Sequence, residues 1–544
     1  MTDVIPSQHR KIFLKNALLM WAGLIVVIVG LSVWLSDGHL IYTLDDPYIH
    51  LSVAENIIQG GYGVNATEYS SPSSSILYPL LLALGEFIGL GFYTPLLLNI
   101  VAAGLSVYIL LDFFWCYVLP RTTPSTDNFA SLAALLLILS ISGLALPMTG
   151  MEHSLHVLIA LATIRGLITL AEGTRATPCP SWFIVAAILG PLIRFEGIAL
   201  SGVTLVALLF LGRWRLAVFI GLTITALIAL YGVTMISIGQ SILPSSVMVK
   251  SNVFVSGTEQ SGIANSLLAL VNNFQNSLSE RWGIIFLVAI LLTSLSIVLA
   301  WRKYSLFQDK FWTSSKFIIG GVLILTLLAH MVAGRYNWFH RYEVYAVSVM
   351  ILGGLYLLSK NIDTSIITNS FKAKLLFIGT LLFLAIPYGL ATIATPFASR
   401  GIYEQQYQMH RFATDYFARP VAVNDLGWVS YQNDQYVLDL WGLGSEKARK
   451  LRANGKFDPQ TVHTLATSKH IDYAMIYPDW FEQSIPSQWC LIAKLESEAI
   501  TAASGTVHFY AISDFATKNM SAALDRFGET LPDRVILERF ECTK

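Results

Sequence analysis

Asp45 and Asp46 stand side by side in the run Thr43-Leu44-Asp45-Asp46-Pro47-Tyr48-Ile49-His50, directly after an apolar stretch. Adjacent carboxylates ahead of a proline have two physical readings. Pro47 suits the first turn of a helix, and an aspartate on its N-cap side satisfies free backbone N–H groups, so capping alone accounts for one acid. Two acids also suit proton transfer, one desolvated into a general base while its neighbour orients a partner or a metal. From Tyr48 to Ile58 the side chains of Ile49, Val53 and Ile57 share one helical face, the pattern of a helix lying at a membrane surface.

Other polar groups interrupt apolar sequence at a few places. Gly150-Met151-Glu152-His153 separates two apolar runs, and Arg194-Phe195-Glu196-Gly197 breaks another. An arginine and a glutamate in such surroundings are costly unless paired or facing a cavity. Arg194 and Glu196 therefore read either as an ion pair closing a helical hairpin or as part of a ligand site. Lys250 ends a loop otherwise nearly without bases, and His340, Arg341 and Glu343 head a late apolar run next to Trp338, Phe339 and Tyr342, which fit an aromatic belt. Acids pooled with Arg, Lys and His describe a site for a phosphate-bearing ligand beside a carboxylate base. No P-loop, dinucleotide fingerprint, H-E-x-x-H or G-x-S-x-G competes with that reading.

The elements that must position these residues belong to a membrane. Of 544 residues 54% are hydrophobic and 13% charged, against roughly 25% charged in soluble proteins. Lys+Arg and Asp+Glu balance at 35 each, so there is no basic field and no nucleic-acid partner is expected. Arg10, Lys11 and Lys15 precede an apolar run from Ala17 to Leu35 without a cleavage site, which predicts a retained first helix. Further spans are expected from near Thr94, Phe129, Ser154, Trp182, Gly197, Leu216, Trp282, Phe317, Tyr342 and Leu375, about eleven in all. The shorter stretch Ile76–Phe92, with Pro79, Gly85, Glu86 and Gly89, is read as interfacial or re-entrant. Counting it as a crossing would send the bases around Arg121, Arg175, Arg213, Lys310 and Lys360 to the outside.

The N-terminus is then cytoplasmic and the C-terminus outside. The first outward segment, Ser36–Ser75, holds Asp37, Asp45, Asp46, Glu55 and Glu68 but no Lys or Arg, in keeping with that orientation. From about Arg400 the composition turns ordinary, with β-like runs at Pro420–Val423, Tyr436–Leu440, Tyr473–Tyr477 and Val507–Ile512. The expected fold is mainly α and polytopic: a membrane domain over 1–395, its first outward loop 36–93 carrying interfacial helices, and a small extracytoplasmic α/β domain over 396–544. Cys116, Cys179, Cys490 and Cys542 show no metal or redox spacing; the last two can pair if their region faces an oxidising compartment.

Asp45-Asp46-Pro47-Tyr48, Ala54-Glu55-Asn56, Gly60-Gly61-Tyr62-Gly63, Tyr69-Ser70-Ser71-Pro72, Gly150-Met151-Glu152-His153 and Arg194-Phe195-Glu196-Gly197 follow one another in an order that resembles the GT-C superfamily of polytopic glycosyltransferases. The nearest branch is the bacterial one related to arabinofuranosyltransferases, with protein O-mannosyltransferases and the lipid A aminoarabinose transferase more distant. Arg341-Tyr342-Glu343 resembles the Arg-Tyr pair such proteins carry at a late span. The resemblance implies inverting transfer from a polyprenyl-phosphate sugar to a lipid or cell-envelope glycan acceptor, at the outer face of the bacterial inner membrane. It makes Asp45 the base and Asp46 its assistant, and Arg194, Lys250, Arg341 and His340 the phosphate ligands. Glu152, His153, Glu196 and Tyr48 then form an acceptor or second acidic site. No cofactor is assigned, although the oxygens of Asp45, Asp46 and Glu152 would suit Mg²⁺ or Ca²⁺. The main alternative is a transporter or flippase for a lipid-linked or anionic substrate, with Arg194 and Glu196 lining its path.

Overall fold

The computed structural model describes residues 7–119, 128–250, 263–303 and 311–542. Among the described residues eight helices are long and apolar enough to cross a membrane: Gln8–Leu35, Gly91–Tyr117, His153–Glu172, Trp214–Ser237, Arg281–Arg302, Ser315–Ala333, Val344–Asn361 and Phe371–Tyr416. The chain is a multi-pass membrane protein. Three more apolar helices form where spans are expected, at Asn128–Ser140, Ser181–Ile193 and Gly197–Phe210. At 13 or 14 residues each, they reach only about 20 Å of the roughly 30 Å hydrocarbon layer. Their shortness has local causes. Ser140 runs into turns and the 3₁₀ segment Leu146–Thr149, and Arg194–Glu196 ends one helix and starts the next. Arg121 and Lys310, two of the bases used to orient the chain, lie outside the described residues.

The stretch read as interfacial contains the helix Tyr78–Phe87, ten residues and thus about 15 Å, too short to cross. Leu80, Leu84 and Phe87 are exposed while Leu82 and Ala83 are buried, one apolar face free for lipid and one packed on protein.

The chain divides into two compact units. The first comprises Met1–Ile28, Leu96–Ala229 and Ala269–Ala394. Its interior helices are His153–Glu172 and Val344–Asn361, the most buried of the long apolar ones, and they pack on each other. Ser181–Ile193 packs on His153–Glu172 and on Gly197–Phe210. Gly197 allows that hairpin to close, since a Cβ there would lie 2.3 Å from the Gly190 carbonyl oxygen.

The second unit comprises Val29–Pro95, Leu230–Leu268 and Thr395–Lys544. Its sheet has the strands β1 Val421–Val423, β2 Val437–Asp439, β3 Tyr473–Ile476, β4 Cys490–Glu496, β5 Thr506–Ala511 and β6 Ile536–Arg539, in the order β2-β1-β3-β5-β4-β6. The β1 strand pairs in parallel with β2 and β3, and the remaining pairs are antiparallel. The sequence patterns anticipate β1, β2, β3 and β5. The β4 strand, Cys-Leu-Ile-Ala-Lys-Leu-Glu, mixes poor strand formers with good ones and owes its state to ladders on both sides. Cys490 and Cys542 form a disulfide; Cys116 and Cys179 are in no disulfide.

The segment after the first long helix shares the core of this sheet. Ile49, Val53 and Val64 pack in one cluster with Met409, Phe412, Val421, Val423, Met475 and Phe509. Asn65 pairs with β2 as a strand edge would, donating to the Val437 carbonyl at 2.9 Å and accepting from its N–H at 2.8 Å. Glu68 bonds Lys469 Nζ at 2.6 Å and the Tyr436 hydroxyl at 2.5 Å.

Candidate functional site

The helix Asp46–Ile58, expected from its sequence to lie at a membrane surface, instead packs Ile49 and Val53 into the core of the sheet; it begins after Asp45, with Pro47 in its first turn. Asp45 stands at the N-cap but makes no capping bond with its side chain. Its carboxylate instead accepts the N–H of Gly427 on Oδ2 at 2.6 Å and that of Trp428 on Oδ1 at 2.8 Å. These are the first free N–H groups of the short helix Gly427–Ser430. The approach depends on glycine: a Cβ on Gly427 would lie 2.0 Å from the Asp45 carbonyl oxygen and 2.5 Å from Oδ2. Asp45 is 6% exposed. Asp46, in the first helical turn, is half-buried.

A third acid joins them. Asp425, in the loop after β1, is in hydrogen-bonding contact with Asp45 and within electrostatic reach of Asp46. Its Oδ2 accepts from Gln406 Nε2 at 3.0 Å and from the Tyr477 hydroxyl at 2.9 Å. Asn424 accepts the Tyr477 N–H at 2.7 Å and fixes the same loop to the end of β3. Gln405 and Gln406 lie on a π-turn, Tyr403–Tyr407, and both reach the Tyr477 hydroxyl. Burial first, and then repulsion by Asp425, pushes Asp45 well above the usual carboxylate range; burial raises Asp425 too.

Aromatic rings enclose this centre. Tyr48 is fully buried, its ring stacked on Trp428 at 4.0 Å and its hydroxyl accepting the Tyr42 N–H at 2.9 Å. Burial leads the upward shift of Tyr48, so it is a neutral wall of the site. Nearby, burial raises Glu55 to about 7 although its carboxylate accepts the Gln432 N–H at 3.2 Å. Lys250 ends the short helix Ser245–Lys250, and its side chain lies outside the described residues.

In the first unit a second centre forms around Tyr342. Arg194 donates through NH1 to Glu152 Oε1 at 2.6 Å, and grips Glu196 with NH2 and Nε at 2.7 and 3.2 Å. The Arg194 side chain is 6% exposed and that of Glu152 fully buried. Burial alone would lower Arg194, yet Glu196 and Glu152 keep it above its ordinary value. Burial likewise opposes ionisation of Glu196, and Arg194 overrides it, drawing the carboxyl down to about 2. Arg194 and Glu196 form an ion pair at the turn of this hairpin.

The guanidiniums of Arg194 and Arg341 both lie over the Tyr342 ring, 5.5 and 5.0 Å from its centre. Arg341 is buried and donates to the Tyr342 hydroxyl at 3.1 Å, and His153 meets the same ring edge-on at 5.8 Å. His340 pairs with the fully buried Glu343 at 3.2 Å. The backbone before Arg341 is strained. Asn337, Trp338, Phe339 and His340 all have positive φ, 66°, 48°, 65° and 55°, where a non-glycine residue costs about 1–2 kcal/mol. Glu343 holds both ends of this left-handed turn, accepting the Asn337 N–H at 3.0 Å and meeting His340.

The predicted residues thus fall into two groups. Asp45, Asp46 and Tyr48 come together in the second unit; Glu152, His153, Arg194, Glu196, His340 and Arg341 come together in the first. Sequence reasoning missed Asp425, Gln406 and Tyr477. Asn424-Asp425-Leu426-Gly427 reads only as a turn, and the glycine two residues on is its one signal of close backbone approach. Among the described residues no group of three or more His, Cys, Asp or Glu is arranged to hold a metal ion.

Residues 398–510 match a family described as "Domain of unknown function (DUF8728)". No curated protein matches the chain. Solved structures resemble it over most of its length. ArnT from Cupriavidus metallidurans in the apo state is 13% identical, with a TM-score of 0.49 over 92% of this chain and 99% of that one. The same protein bound to undecaprenyl phosphate gives 13%, 0.48, 91% and 98%. The Archaeoglobus fulgidus oligosaccharyltransferase AglB, in complex with an inhibitory peptide and a dolichol-phosphate, is 11% identical, with a TM-score of 0.42 over 96% of this chain and 76% of its own.

Proposed function

We propose that the chain is an integral-membrane glycosyltransferase that moves a sugar from a polyprenyl-phosphate donor to a hydroxyl of a lipid or cell-envelope glycan, with inversion. The acceptor oxygen bonds to the anomeric carbon as its proton passes to a carboxylate of the Asp45–Asp46 pair. The bond from that carbon to the phosphate oxygen breaks, and polyprenyl phosphate leaves with the electron pair. Arg194, Arg341, His340 and Lys250 are the cations offered to that phosphate, where negative charge develops. A phosphate reaching Arg194 has to displace a carboxylate. Glu152, His153, Glu196 and Tyr48 stand as the acceptor or second acidic group.

One observation carries the reading: a single membrane-spanning chain holds both a buried acid cluster led by a loop aspartate pair and two buried guanidiniums over one tyrosine. Charged groups of this kind inside membrane proteins mark substrate sites. A cavity of about 770 Å³, lined by Ile284, Val288, Leu292, Leu355, Phe377 and Leu384, offers an apolar bed for an isoprenoid tail. The Cys490–Cys542 disulfide supports an oxidising compartment for the C-terminal residues. It agrees with the lack of Lys and Arg in Ser36–Ser75 in favouring catalysis at the extracytoplasmic face of the inner membrane, with the N-terminus cytoplasmic.

The test is to incubate the purified full chain with a panel of polyprenyl-phosphate sugars and acceptor lipids, and to follow products by mass spectrometry. One donor should be consumed and one sugar mass added to an acceptor. Passage of intact donor across a vesicle membrane with no covalent product would instead establish a transporter.

A further inference from the structure

We propose that a polar cavity at the far end of the first unit binds the phosphate of an anionic phospholipid headgroup, with Arg165 as its main ligand and Lys360 as the second. The cavity, of about 630 Å³, is lined by Tyr117, Arg165, Glu172, Ser359, Lys360 and Thr364, a volume usual for small-ligand sites. It lies where the helices Gly91–Tyr117, His153–Glu172 and Val344–Asn361 all end. Glu152, part of the Arg194 centre, immediately precedes the helix His153–Glu172, and Glu172 closes that helix after 20 residues. Such a length is about 30 Å, one hydrocarbon layer, so the cavity and the Arg194 centre face opposite sides of the membrane. With the N-terminus cytoplasmic, as proposed, the cavity faces the cytoplasmic leaflet.

Arg165 is the residue that calls for a ligand. It stands seven residues before Glu172, about 10 Å inside the end of its helix, where a charge is costly unless it pairs or faces a cavity. Its guanidinium lies over the rings of Phe113 and Tyr117, 5.1 and 5.4 Å from their centres. The bond it donates to the Tyr117 hydroxyl is long, 3.4 Å. Among the described residues no carboxylate forms an ion pair with it. The acids of this end are committed elsewhere. Glu172 accepts from Lys360 Nζ at 2.6 Å and from the Tyr117 hydroxyl at 2.7 Å. Asp363 accepts the Ser365 N–H at 3.0 Å, and Asp112 accepts from Arg10 at 2.7 Å. Lys360 sits in the last turn of its own helix, where the helix dipole favours a cation; that effect fades within one turn and does not account for Arg165. The two rings hold the guanidinium in place and leave its other N–H groups for a ligand, a planar fork that matches two phosphate oxygens. Phospholipid phosphates sit at the level where membrane helices end, and basic pockets between such helices take anionic headgroups.

The full chain in nanodiscs, probed with spin-labelled phosphatidylglycerol and spin-labelled phosphatidylcholine, tests this without any sugar transfer. The outcome is therefore independent of the glycosyltransferase reading. Wild type should immobilise the glycerol lipid in preference to the choline lipid. Arg165→Gln should lower that preference about tenfold, as expected for a lost charge-assisted bond. Thr364→Trp, at a part-exposed position of the cavity wall, fills space while leaving every charge in place, and should lower it too even if Arg165→Gln does not fold. Equal immobilisation of the two lipids by wild type, or a preference unchanged in either folded variant, overturns the proposal. Displacement of the labelled lipid by inorganic phosphate would assign the cavity to soluble phosphate and overturn its assignment to lipid.

Discussion

At Arg194 a guanidinium sits between carboxylates, so that each buried charge has an opposite neighbour. At Asp45 a carboxylate sits against a second carboxylate, held by backbone dipoles, a tyrosine hydroxyl and a glutamine. Burial opposes ionisation in both places, and the neighbours decide the outcome. Arg194 outweighs desolvation at Glu196 and draws it down to about 2, whereas at Asp45 burial and the neighbouring Asp425 push the same way and the carboxyl rises. Arg194 and Glu196 therefore keep their charges, whereas at the acid centre burial works against ionisation. A fixed cationic region and a proton-handling one are the two components that phosphate departure and hydroxyl deprotonation require.

Removing one partner from each centre should break this contrast most sharply. Arg194→Ala leaves the buried Glu152 and the part-buried Glu196 without their cation and should cost about 3–5 kcal/mol, read as a lowered thermal midpoint of the full chain. Asp45→Ala orphans the Gly427 and Trp428 N–H groups but removes a costly acid, and should cost about 1–3 kcal/mol with loss of transfer. Gly427→Ala keeps every charge and only forces a methyl group against Asp45. It should destabilise by about 1–3 kcal/mol and shows whether the close approach matters apart from the acids.

The smallest effect is a pH dependence confined to the second unit. Burial raises Glu55 to about 7, so between its ordinary value of 4.5 and 7 the folded state binds more protons than the unfolded one. Its stabilising protonation is fully present below the lower value and is lost as pH rises through the upper. Lowering pH from 7.5 to 5 should stabilise the protein by about 1–2 kcal/mol through this group, and Glu55→Gln should flatten the slope.

Much of the helical layout is legible because membrane spans are local: eleven apolar runs announce helices, and Pro79 with Gly85, Glu86 and Gly89 mark the one that does not cross. The lengths are less legible, since an apolar run does not say where Arg194–Glu196 will break it. The partnership of residues 29–95 with the C-terminal sheet could not be read at all. It rests on Asn65 meeting Val437, and Asp45 meeting Gly427, across some 370 to 380 residues, and leaves no periodic trace. The acids were visible as acids, but Asp425 resembled any turn aspartate until the fold set it beside Asp45. The left-handed turn at Asn337–His340 is hidden for a different reason: Trp and Phe are residues that avoid positive φ, and the distant Glu280 on the Asn337 amide, with the buried Glu343, holds the turn there.

The account turns on chemistry at the acid centre and is tested most directly by replacing both Asp45 and Asp46 with asparagine in a single-turnover assay, with donor binding measured on the same preparation. Unchanged binding of a polyprenyl-phosphate sugar with glycosyl transfer reduced at least ~100-fold is the result expected of a lost general base. Transfer at the wild-type rate, with both acids replaced and the protein folded, would contradict it.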